Sequence, residues 1–137
     1  MRMLFLILAM MLPTAVNAQM RDSVFKDYKA YNDFVDQKVT IRDFKPFILA
    51  LGGRDEYSPD QLEKINKQLL NVFRKDFANK TVFRRVELGG GFSQEARAYW
   101  NGESYAYYYA ILHQRKNDLV VINFSLNSDI GVIMAKF

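Results

Sequence analysis

The chain has 137 residues, no cysteine, one histidine, one tryptophan and a formal net charge of +4. Half of it is apolar and 15% is aromatic, enough to bury the core of one domain without disulfides. No basic run exceeds two residues, as at Arg84-Arg85, so the charge does not imply nucleic acid and no nucleic-acid partner is expected. With one histidine and no Asp-x-Asp acid cluster, neither a metal nor a cofactor is expected.

The opening MRMLFLILAMMLPTAVNAQM carries Arg2, an apolar run from Met3 to Leu12, then Pro13 and the small-residue pattern Val16-Asn17-Ala18. It reads as a secretory leader, residues 1–18, cleaved after Ala18. The run falls short of the about 20 residues that a spanning helix needs, so no stable membrane insertion is expected once the leader is removed. Residues 19–137 then form a single α+β domain in a periplasm or outside the cell. A thiol-free exported chain suits a bacterial periplasm.

The helical half covers about 22–78. Val24, Tyr28, Tyr31 and Val35 follow an amphipathic helical stripe, predicting a helix over 22–39. A second helix is expected from Asp43 to Leu51, with Pro46 in its first turn and Gly52-Gly53 as its stop. Ser58-Pro59-Asp60-Gln61 supplies an N-cap, a first-turn proline and a capping-box glutamine for a third helix. Leu62, Ile65, Leu69, Val72, Phe73 and Phe77 extend its stripe to about Ala78.

Beyond Asn79-Lys80 the period changes to two, and turn signals cut 81–137 into strands near 81–88, 92–100, 103–115, 119–126 and 130–137. Asn101-Gly102 predicts a two-residue hairpin turn, which sets Trp100 against Glu103, Ala98 against Tyr105 and Ala96 against Tyr107. A second two-residue turn at Asn117-Asp118 carries the parity on, placing Ile111 beside Phe124 and His113 beside Ile122. Trp100, Tyr105, Tyr107, Tyr109, Ile111 and Phe124 then share one face, expected to lie under the helices. Tyr99, Tyr108, Leu112, Val121, Val132 and Met134 share the outer one.

Two or three helices followed by a curved antiparallel meander of four or five strands make an α+β roll. In element order the chain resembles cystatin-like and nuclear-transport-factor-2-like rolls. That resemblance implies long helices in the curve of a sheet, with room for a pocket between them.

Trp100, Tyr105, Tyr107, Tyr109, His113 and Phe124 are the candidate lining of a pocket for a small apolar or aromatic ligand. His113 is the one weak candidate for catalysis, and Glu87, Glu95, Glu103 and Arg97 are the strand-half charges that could partner it. Leu88-Gly89-Gly90-Gly91-Phe92 fails as a phosphate loop, because no Lys-Ser/Thr follows and the next element is a strand. The last segment, IGVIMAKF, is apolar on both faces, so the outer set Tyr99, Tyr108, Leu112, Val121, Val132 and Met134 reads as an interface for a protein partner or a second copy. The preferred reading is an exported non-enzymatic binding or accessory domain. The alternative is a small roll-type hydrolase, isomerase or dehydratase using His113 or a tyrosine hydroxyl.

Overall fold

The computed structural model describes residues 23–52 and 56–137. The leader and its cleavage after Ala18 lie outside the described residues, as does Gly53. Val24–Phe25 forms β1, antiparallel to β5 (Leu119–Asn127), with Val24 opposite Val120 and Phe25 opposite Leu119. Val24 therefore does not join the first helix, α1, which spans Tyr28–Thr40. Asp27 caps it by accepting a hydrogen bond from the Ala30 amide at 2.8 Å.

Tyr31, Val35 and Val39 form the buried stripe of α1. The helix closes in a Schellman turn: the Asp43 amide donates to Lys38 O at 2.8 Å and the Arg42 amide to Val39 O at 3.0 Å, with Arg42 left-handed at φ 57°. Helix α2 (Phe44–Gly52) buries Phe44, Phe47, Ile48 and Leu51.

Helix α3 (Pro59–Val72) starts as its sequence predicts, with both hydrogen bonds of the Ser58–Gln61 capping box in place. It ends six residues before Ala78, because tertiary partners replace the helical ladder. The Phe77 amide donates to Thr40 O at 2.9 Å, while the Arg42 side chain donates to Phe73 O at 3.1 Å and Asp76 Oδ1 at 2.8 Å. Phe73 and Phe77 reach the core from this extended segment instead.

The long strands are β2 (Asn79–Gly89), β3 (Phe92–Asn101), β4 (Ser104–Gln114) and β5, and the sheet runs β1-β5-β4-β3-β2, antiparallel throughout. The Gly89-Gly90-Gly91 stretch is a hairpin turn with positive φ at all three glycines. Gly91 tolerates no side chain, since a Cβ there would stand 2.3 Å from Gln114 O. The β3–β4 turn falls one residue later than expected: Asn101 pairs with Ser104, and Gly102-Glu103 form the loop. Gly102, at φ 59°, is the residue that supplies the left-handed position. This moves every partner by two, so Ala98 faces Tyr107 and Ala96 faces Tyr109, and each residue keeps its side of the sheet.

The two sides are exchanged relative to the sequence reading. Helices α1 and α2 pack against Tyr99, Tyr108, Leu112, Leu119 and Val121, with α3 at the margin of the same core. Tyr99, Tyr108, Leu112 and Val121 are thus buried and form no outer interface. Trp100, Tyr105, Tyr107, Tyr109 and Ile111 lie on the opposite side. Parity alone cannot say which side the helices take.

Three further corrections follow the chain. The β4–β5 loop has four residues rather than two, held by the Arg115 amide donating to Asp118 O at 2.8 Å and by Arg115 against the Asp118 carboxylate. A bulge at Ile122 then shifts the register, so that Phe124 turns to the helix side, where its ring meets Phe47 at 5.7 Å. Residues 130–137 are no strand. Asp129 caps a short helix, α4 (Ile130–Met134), which lays Ile133 against Ala96 and Tyr109 on the open side of the sheet. Val132 is exposed and Met134 half-buried on α4, away from the four residues with which they were grouped.

Candidate functional site

Under the helices the sheet buries charge. Glu95 and Arg97, both inward on β3, are 0% and 1% exposed, and the Arg97 Nε donates to Glu95 Oε2 at 2.5 Å. Tyr28 donates to Glu95 Oε1 at 2.9 Å and Tyr31 to Oε2 at 3.1 Å. With its proton committed to Glu95, the Tyr31 hydroxyl accepts from Tyr108 at 2.9 Å. Arg97 also donates to Asn32 Oδ1 at 2.8 Å and Asp36 Oδ1 at 3.1 Å, and Tyr99 donates to the same Asp36 oxygen at 2.7 Å.

Among the described residues no buried side-chain nitrogen or oxygen lacks a partner. The ensemble ties α1 to β3 and β4, and burial raises the Tyr31, Tyr99 and Tyr108 hydroxyls well above the ordinary tyrosine range. Glu95, 0% exposed, is walled in by tyrosines and two guanidiniums, Arg97 and, with its Nη1 3.6 Å from Oε1, Arg85, an arrangement that holds helix to sheet. The sequence carries a sign of it in Tyr28, Asn32 and Asp36, a polar i, i+4, i+8 stripe on α1 matched to Glu95-x-Arg97 on β3.

The open side carries rings. Trp100 and Tyr105, directly paired across β3 and β4, lie 6.2 Å apart with planes at 17°; Tyr105 and Tyr107 follow at 5.9 Å and 7°. Phe83, extruded by a bulge in β2, adds its ring edge-on to Tyr107 at 6.5 Å. Ala98 opposite Tyr107 leaves that ring space, as the small-against-large pattern requires. Tyr105 is 41% exposed and Phe83 is likewise in solvent, so these rings form an outer platform.

Of the six expected pocket residues, the structure brings together Trp100, Tyr105 and Tyr107. Tyr109 is covered by Phe137, whose ring stands edge-on at 5.2 Å, and its hydroxyl exchanges hydrogen bonds with Gln94 and Lys136 O. His113 lies at the far end of β4, stacked on Phe92 at 3.9 Å, with its Nε2 3.2 Å from Gly90 O. None of Glu87, Glu95, Glu103 or Arg97 is its partner among the described residues. Phe124 is on the other face.

A separate cleft of about 450 Å³ lies between α2, α3 and β5, floored by Phe47, Ile48, Leu51, Ile65, Leu69 and Phe124. A smaller one of about 230 Å³ adjoins it through Ile65, Leu69 and Leu126. The roll-like element order implies room between helices and sheet, but these lining residues are not readable in advance, since they depend on how α3 meets the edge of β5. Among the described residues no group of three or more His, Cys, Asp or Glu could hold a metal, and no helix is long and apolar enough to cross a membrane.

Fold and site together define an α+β domain with helices on one side of an antiparallel sheet and an aromatic platform on the other. No family model, no curated protein and no solved structure matches the chain.

Proposed function

We propose that the protein is an exported, non-enzymatic binding domain whose open aromatic face takes a protein surface, from a partner or from a second copy. The observation that carries this reading is the parallel ladder Trp100–Tyr105–Tyr107, flanked by Phe83, on the side away from the helices, with Tyr105 and Phe83 exposed and Trp100 and Tyr107 half-buried. Large rigid rings give contact area at little entropic cost, and interfaces are enriched in them. The same rings would stack on a flat apolar ligand. The N-terminal pattern supports export. An acid–base role for His113 would need a carboxylate partner, and its ring faces a backbone carbonyl instead.

Trp100 is the sole tryptophan, so its emission reports on this face directly. Light scattering is expected to give a dimer, or a complex with a captured partner, accompanied by a blue shift of Trp100 emission. Replacing Tyr105 and Tyr107 together by serine should abolish both. An unchanged mass and unchanged capture in that double variant would overturn the reading.

A further inference from the structure

The two edges of the sheet are treated differently by the sequence. The outer edge, β2, carries Lys80, Arg84, Arg85 and Glu87 and two register shifts, the devices by which natural proteins keep an edge strand from pairing with another chain. The β5 edge is covered by β1 only at Leu119 and Val120, with one more hydrogen bond from the Val121 amide to Ser23 O at 2.8 Å. From Ile122 to Asn127 it reads Ile-Asn-Phe-Ser-Leu-Asn, with no charge and no proline, and among the described residues no strand pairs with its free side. Its single bulge lies at Ile122, where β1 ends.

The apolar cleft between α2 and α3 opens along this same stretch, lined by Ile122 to Leu126. A strand laid there would satisfy the row of backbone amides and carbonyls and drop every second side chain toward Phe47, Leu51 and Leu69. Antiparallel docking on this line already exists in β1. A second copy is a poor occupant, since its own Phe124 and Leu126 are packed into its core and have nothing to place in the cleft. Glu56 is the one charged residue among the described lining, which favours a neutral or basic side chain at that end.

We propose that the edge of β5 from Ile122 to Asn127, unpaired among the described residues, and the adjoining cleft form a docking groove for an extended segment of a partner polypeptide, apolar at alternate positions. This site stands apart from the aromatic face, and neither depends on the other.

The test uses a soluble eight-residue peptide alternating valine with threonine or lysine, titrated by calorimetry and by amide chemical shifts. Two further forms carry N-methyl groups on one or the other set of alternate amides, so that one set faces β5. Saturable binding is expected, with shifts confined to 122–127 and the cleft. One methylated form should lose about tenfold or more in affinity while the other retains it, as backbone pairing on one edge demands. Ile122→Lys, at a side chain 52% exposed, should leave the fold intact and weaken binding to a similar degree. Absence of saturable binding, equal binding by both methylated forms, or shifts centred on Trp100 would each overturn the proposal, and the last would still leave the aromatic-face reading standing.

Discussion

One side of the sheet hides a carboxylate, a guanidinium and three tyrosine hydroxyls, while the other carries a tryptophan and a tyrosine half-buried and a second tyrosine and a phenylalanine exposed to solvent. This reverses the usual sorting, and the reason is local in each case. Among the described residues every buried side-chain nitrogen and oxygen has a partner at hydrogen-bond distance, which removes most of the desolvation cost. The rings on the open side gain from one another and from small alanines opposite them, but much of their surface stays wet. Exposed apolar area of this kind marks a surface with work to do, and satisfied buried charge marks a structural tie.

The sharpest way to break that contrast is Arg97→Met. It removes the nearer of the two guanidiniums beside the fully enclosed Glu95 and leaves only Arg85, whose Nη1 stands 3.6 Å from Oε1, so urea denaturation should show a loss of about 3–5 kcal/mol. Adding Glu95→Leu to it should cost less than the two single changes summed, as a double-mutant cycle would register. A loss below about 1 kcal/mol for Arg97→Met would mean that the buried pair holds little together.

Alkali tests the same side with no substitution. The Tyr31, Tyr99 and Tyr108 hydroxyls are raised above the ordinary value of 10.0 by burial, so above that pH the unfolded chain releases protons that the folded chain keeps. Their contribution is fully present below pH 10.0 and is lost as the pH rises beyond it. Stability should fall by about 1.4 kcal/mol per pH unit for each buried tyrosine. Urea midpoints flat up to pH 9 and falling by pH 11, with three tyrosines refusing to ionise by ultraviolet absorbance, are the expected result.

The smallest effect belongs to the open side. Tyr105→Ser removes the central rung of the ladder, yet it should cost about 1 kcal/mol or less, because a cross-strand aromatic pair in solvent is worth no more. A loss comparable to that of Arg97→Met would show that the rings are core and would end the contrast between the sides.

Elements with their own chemistry were legible in the sequence. Ser58-Pro59-Asp60-Gln61 placed the start of α3 to the residue, and the glycines placed both hairpins, the second to within one position. Which side the helices would cover was not legible, since Trp100, Tyr105, Tyr107 and Tyr109 on one side and Tyr99, Tyr108, Leu112 and Val121 on the other are both large and apolar, and alternation is blind to exchange of sides. IGVIMAKF, apolar at every other position and also between, fits a strand or a short helix; Asp129 as a cap and Ile133 against Ala96 decide for the helix. Phe124 was misplaced because a single extra residue at Ile122 flips all that follows it. Three of the four open-side rings, Trp100, Tyr105 and Tyr107, were therefore readable as a cluster, and their partner Phe83 was not, for it owes its position to a bulge.

The tie between α1 and the sheet joins residues 61 to 77 positions apart in the chain. Closing loops of that length is slow and costs entropy before any contact repays it. Helix α1 precedes the strands in the chain but finds Glu95, Arg97 and Tyr108 only once β3 and β4 exist, so the native core cannot assemble before β4 has been made. A product stopped before β4 would hold Tyr31 and Glu95 with no Tyr108 between helix and sheet, and should remain open to proteolysis.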